Sequence, residues 1–180
     1  MRRALAWAGA VTAAEVFARG SLRSRSAAWI ASYGALWIVA GRRRTPSRVP
    51  GSRRAAALGL ALSLGGYPLG RRLLGDAPSG APPDRLPLEL AALGVVVPAV
   101  EEAIWGARVE PRIGVAGTAA LFAAKHVIVD RRWRRGPGLG AFWAGLGLLR
   151  MRSPGLSAAV HHICNIASVV AGHLTGRDRF

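Results

Sequence analysis

Apolar stretches at roughly 4–18, 27–40, 55–70, 86–107, 113–129, 138–150 and 155–174 partition this chain, and short arginine clusters separate them. No other feature limits the possible folds so strongly. A helix that crosses a bilayer needs about 20 residues, with a range of about 17–25. Several of the runs are shorter, but arginines at their ends can snorkel toward headgroups and extend the effective length. The pattern predicts an all-α, polytopic transmembrane helix bundle. Six to eight helices fit, and about seven is the best single number. Membrane helices pack as one bundle, so residues 1–180 form a single domain.

The charge pattern supports this. Of the 180 residues, 51% are hydrophobic and 19% are charged, against about 25% charged in a typical soluble domain. The formal net charge is nevertheless +16, and 24 of the 25 basic residues are Arg; the exception is Lys125. Such a balance suits either nucleic acid or an anionic membrane surface. Arginine clusters fall at 41–44, 52–54, 70–72 and 130–135, between apolar runs, and form no basic face that could read a groove. The bilayer is therefore the expected partner and nucleic acid is not. The expected location is integral to a membrane, that of a bacterial cell.

The amino-terminal segment begins like a signal peptide, with Arg followed by an apolar run. Glu15 interrupts it and no small-residue cleavage site follows, so it reads as a first spanning helix, with Glu15 an otherwise unexplained acid that reads as a partner for the arginine-rich interior. TPSRVPGSRR at 45–54 and GDAPSGAPPDRLP at 75–87 read as loops, because each X-Pro step disfavours helix before it. Orientation stays open: the Arg-rich loops at 41–54 and 130–137 fall on opposite sides of a seven-span chain, yet both should be cytoplasmic. Gly-rich texture at 58–66 and 138–147 fits close helix packing in lipid, although a compositional bias toward Ala and Gly produces it too. Trp29, Trp37, Trp133 and Trp143 fit an interfacial aromatic belt. The single cysteine, Cys164, excludes an intramolecular disulfide and reads as a small hydrophobe.

Ionisable groups inside apolar runs carry the functional signal, because burying them in hydrocarbon is costly. They are Glu101 and Glu102 in VVVPAVEEAIWGA, His126 in FAAKHVIV, and His161 and Asn165 in SAAVHHICNIAS. Neighbouring glutamates point about 100° apart on a helix, which divides them into one catalytic carboxylate and one that pairs with a base. Phe122 and His126 share a face, as do His161 and Asn165; His162 and His173 read as bystanders. Plainer readings exist for each group: solvated carboxylates at a helix end, an interfacial histidine, an interhelical hydrogen bond. Hydrolysis by an activated water needs a base, a positioner and donors for an oxyanion, and the clusters supply these from three helices. A His₂Glu zinc site of Glu101, His126 and His161, with water as fourth ligand, is the competing chemistry.

The three clusters, in order and with their spacing, resemble the motif pattern of the CPBP family, the CAAX protease and bacteriocin-processing membrane proteins. That pattern has a Glu-Glu pair followed by an aromatic and usually Arg-Gly, then Phe-x-x-x-His, then His-x-x-x-Asn. Here the matches are Glu101-Glu102, Phe122 to His126, and His161 to Asn165. MRSPGLSAAVHH resembles the lead-in to the last motif, and the likeness covers about residues 90–172. It implies a catalytic core at 86–174 and an intramembrane endopeptidase that needs no metal. Glu101 and His126 would activate the water, His161 and Asn165 would form the oxyanion site, and Glu102 would be structural. The substrate would be a membrane-associated peptide or protein: a prenylated C-terminus, a peptide leader or a membrane protein. The chain departs from the pattern at Gly106, where the family has the Arg that pairs with the second Glu. Arg108 is the nearest substitute; a cation from another helix, or an unpaired Glu102 in a degenerate site, are the other possibilities. The rival function is a non-catalytic protein of the same fold, a scaffold or a bacteriocin-immunity protein.

Overall fold

The computed structural model describes residues 1–20, 24–41, 52–75 and 83–177. Among them are six helical runs and no strand: α1 Arg2–Arg19, α2 Arg25–Ala40, α3 Arg53–Leu74, α4 Leu86–Asp130, α5 Gly136–Arg152 and α6 Pro154–Thr175. A 3₁₀ turn, Trp133–Arg135, leads into α5. Most of the two loops expected at 45–54 and 75–87 lies outside the described residues. The all-α reading holds. Local chemistry sets the helix ends. Ser24, Ser52 and Ser153 cap α2, α3 and α6 by accepting from the N–H three residues on, and Gly75 and Gly176 close α3 and α6 in the left-handed conformation.

About seven separate helices were expected, and the count of runs is six because no loop parts 86–107 from 113–129. One residue does the work of that loop. Gly114 has φ 75° and ψ 171°, a conformation closed to residues with a Cβ. On a continuous helix the 24 residues between Glu101 and Lys125 would span about 36 Å, yet Lys125 Nζ lies 2.8 Å from Glu101 Oε1. Gly114 thus folds α4 back on itself, and its first arm (86–113) and second arm (115–130) face each other.

The first arm is underwound at two places into wide π-type turns, Leu90–Val96 and Glu102–Val109, a feature common at functional sites. At the first, the Val97 N–H bonds to the Ala92 carbonyl, five residues back. Pro98 has no N–H to offer. Neither neighbour in the helix satisfies the Leu93 carbonyl, and the Asn165 side chain from α6 does so at 2.9 Å.

Helices α3 and α5 meet through small residues. A Cβ on Gly145 would lie 2.5 Å from Ser63 Oγ and 2.6 Å from the Gly59 carbonyl; one on Gly66 would lie 2.8 Å from Ala141 Cβ. A Cβ on Gly70 would lie 3.0 Å from Gly138 Cα. The glycine-rich texture of both segments is therefore a packing surface, of the kind used where backbones must touch. Trp29 and Trp143 are not belt residues. Trp143 is fully buried and stacks on Phe122 at 4.3 Å between ring centroids, and Trp29 is buried against Tyr33 at 4.9 Å. Helix α5 is buried on most sides by α3, α4 and α6, so its Trp has no interface within reach. Trp37 and Trp133 are exposed.

Large apolar side chains lie on the outside, and a set of charged side chains lies within the otherwise apolar core. Phe17, Ile38, Val39 and Leu73 are 66–80% exposed, while Glu15, Glu101, Glu110, Lys125, Arg135, Arg150 and His161 are buried. Two runs, Leu86–Asp130 and Pro154–Thr175, are long and apolar enough to cross a membrane.

Candidate functional site

The doubled-back α4 and the facing α6 bring the three sequence clusters together. Glu101 comes from the first arm, His126 and Lys125 from the second, and His161 and Asn165 from α6. A cavity of about 540 Å³ is lined by Glu101, Phe122, His126, His161 and Asn165, all five expected there, and is walled by Ser63 and Tyr67 of α3, by Leu93, and by Cys164. Glu102 and Arg108 do not line it.

Hydrogen bonds fix the direction of each ring. His126 Nδ1 lies 2.9 Å from the Phe122 carbonyl. A carbonyl only accepts, so Nδ1 carries the proton and the neutral ring keeps an acceptor at Nε2. The ring also rests 4.4 Å from that of Phe122. His161 is buried edge-on against Phe142 and Trp143. Its Nδ1 is 3.1 Å from Glu102 Oε1, and its Nε2 is 3.6 Å from Glu101 Oε2. The adjacent glutamates thus sit at opposite nitrogens of one ring, Glu101 on the cavity side and Glu102 behind. Asn165 spends one N–H on Leu93 and retains the second donor of its amide. His162 donates to its own helix at the Ala158 carbonyl. His173, expected to be a bystander, binds Glu89 at 2.8 Å and ties the end of α6 to the start of α4.

Arg108 is not the partner of Glu102. Its guanidinium stacks over Trp7 of α1, 4.6 Å from the ring centroid. Six residues after Glu102, it points to another side of the helix. The cation comes from α5: Arg150 Nη1 binds Glu102 Oε2 and donates to Ser157 Oγ at 2.9 Å, and Nη2 binds Glu110 Oε2 at 3.1 Å. Ser157 reaches Glu102 at 3.3 Å. A Cβ on Gly106 would lie 3.0–3.1 Å from the Arg150 guanidinium. The residue that lacks the family's Arg therefore makes room for an Arg from elsewhere.

A second chain of charges, absent from the sequence reading, runs away from Glu101. Lys125 Nζ bridges Glu101 Oε1 at 2.8 Å and Glu15 Oε2 at 2.6 Å. Arg19 binds Glu15 at 3.1 Å and Asp130 at 2.8 Å. Asp130 binds Arg135, which donates to the Tyr67 hydroxyl at 2.9 Å. Each sign alternates, so the six charges sum to zero; all but that of Arg19, whose side chain is 25% exposed, are buried. Glu15 does pair with an arginine, Arg19, as expected, and with Lys125 besides. Its signal was its own position, an acid in the middle of an apolar helix; Lys125 carried the other, as the sole lysine in an arginine-rich chain.

The expected zinc ligands were Glu101, His126 and His161. Among the described residues, the donors whose ligand atoms lie within 4.8 Å of one another are Glu15, Glu101 and His126. Lys125's ammonium stands between the two carboxylates of that set, where it opposes a divalent cation. Comparison of the chain with family models, with curated proteins and with solved structures finds no match.

Proposed function

We propose that this chain is a polytopic membrane protein, an intramembrane endopeptidase of the CPBP type that hydrolyses a peptide bond with an activated water and no metal. The observation that carries the reading is the convergence of Glu101, His126, His161 and Asn165, from three helical arms far apart in sequence, on one cavity. The large apolar side chains exposed on the outside, and the paired charges held inside the core, support the bilayer as its solvent.

The water sits between Glu101 Oε2 and His126 Nε2. Its oxygen adds to the scissile carbonyl carbon, and its proton passes to the Glu101–His126 pair. Asn165 Nδ2–H and a protonated His161 Nε2 donate to the oxyanion. The C–N bond then breaks as the held proton is delivered to the leaving amine, giving a carboxylate and an amine. Glu102 takes no part in the chemistry; with Arg150 and Ser157 it holds His161 at Nδ1. A membrane-associated peptide or protein is the substrate, since a cavity opening among apolar helices admits a chain already in the bilayer.

The non-catalytic rival drew its support from Gly106. Arg150 supplies Glu102 with a cation from another helix, which favours the peptidase reading. Glu101→Gln tests the reading in cells that carry it: cleavage of the physiological membrane peptide stops while the protein still accumulates. Unchanged cleavage would refute it.

A further inference from the structure

The peptidase reading gives no task to α1 or to Lys125, yet both are built into the site. Glu101, Lys125 and Glu15 are 2%, 4% and 0% exposed. Three charges in that setting are costly unless each is paired. The pairing is direct, with Nζ 2.8 Å from Glu101 Oε1 and 2.6 Å from Glu15 Oε2.

The choice of residue is informative. A chain with 24 arginines places its single lysine here. An ammonium is a compact point charge with three donors, which suits a gap between two carboxylates; a guanidinium is a planar fork that spreads across one. The bond to Lys125 engages Oε1 of Glu101 and leaves Oε2 toward His161, 3.6 Å away. A free glutamate side chain would rotate among several rotamers, and most would take Oε2 away from the cavity. The groups that face Glu101 are Lys125 and His126 from the second arm of α4, Glu15 from α1, His161 from α6 and the Tyr33 hydroxyl of α2. Lys125 is the sole group among them that carries a permanent positive charge.

We infer that Lys125 is a positioning residue for Glu101, anchored in turn by Glu15, so that α1 is part of the catalytic apparatus. This rests on the peptidase reading for its purpose, but its geometry is testable without any substrate. The division of labour is specific. Lys125 holds Oε1 and thereby aims Oε2 at the water, and Glu15 draws the ammonium partly toward α1 and so moderates its hold on Glu101.

Infrared spectroscopy of the full chain in lipid bilayers tests this. For each protein, the difference spectrum against the same protein carrying Glu101→Gln isolates the Glu101 carboxylate band. Lys125→Met removes the ionic hydrogen bond and Glu15→Gln leaves the ammonium to Glu101 alone, so the band moves in opposite directions in the two variants. A residue that served only to fill space would not give shifts of opposite sense. If Lys125→Met does not fold, Lys125→Met with Glu15→Gln, which removes one charge of each sign, carries the same readout as Lys125→Met alone. A band that stays in place when Lys125 is replaced overturns the inference. A second arm measures turnover of the membrane peptide that accumulates with Glu101→Gln: kcat falls about a hundredfold in Lys125→Met, the scale of a misplaced catalytic group, with KM little changed. Equal falls in affinity and no fall in kcat count against positioning. Absence of any wild-type turnover would sink the peptidase reading, while the infrared shifts still decide the role of Lys125.

Discussion

The guanidinium of Arg150 lies directly over Gly106, so close that a Cβ there would meet it at 3.0 Å. The two positions form one unit: α4 gives up a side chain and α5 fills the space with the cation that Glu102 and Glu110 need. Arg150→Met should therefore destabilise the protein by about 3–5 kcal/mol, the cost of leaving buried charge uncompensated. Gly106→Arg alone should also destabilise, because two guanidinium groups cannot share the site. The two changes together should recover part of the loss, which a double-mutant cycle on thermal unfolding in detergent would read as a coupling energy.

Contact between α3 and α5 depends on missing side chains. Gly145→Val should cost about 1–3 kcal/mol from overpacking, since even a methyl group there meets Ser63 and the Gly59 carbonyl. Gly9, where a Cβ meets nothing within 4 Å, should accept Ala with little effect. Thermal midpoints of the two variants check this.

Asn165 has two duties, and its variants should separate them. Asn165→Ala leaves the buried Leu93 carbonyl without its donor, at about 1–3 kcal/mol. In the proposed mechanism it also removes an oxyanion donor, which should lower kcat by about 10²–10³. The fall in rate should persist at temperatures where the variant is fully folded. A variant that is destabilised but cleaves at the parental rate would remove Asn165 from the oxyanion site.

Metal removal should change nothing. The ammonium of Lys125 already occupies the gap between Glu15 and Glu101, so chelators should leave cleavage intact and purified protein should hold far less than one zinc per chain. Loss of activity on chelation, restored by zinc, would replace the water-activation scheme with a metal-based one.

Much of this site was legible in the sequence because its parts are chemically conspicuous. Glu101, His126, His161 and Asn165 are polar groups at fixed spacing in apolar runs, and the same burial cost that marks them in the sequence drives them into one cavity. Seven apolar stretches were equally plain. What turned two of them into a single doubled-back run was one glycine with positive φ, and Gly114 looks like any other glycine among 23. Partnerships were the least legible. Arg108 is closest in sequence to Glu102, but the underwound turn of α4 and the approach of α5 decide the pairing, and neither can be read from residue spacing. Residue type alone points Trp143 to an interface, whereas Trp105 and Phe122 of α4 and His161 of α6 pack against its ring. Lys125 and Glu15 were visible as anomalies but could not be joined without knowing that α1 lies against both arms of α4.

The account stands or falls on the Glu101 carboxylate as the group that activates water. Comparative proteomics of cells carrying Glu101→Gln against the parent, at matched protein levels, is the most direct measurement. The account predicts that at least one membrane-associated peptide or protein accumulates uncut in the variant and is cleaved when the parental chain is restored. Identical processing of every membrane peptide in the two strains would contradict it.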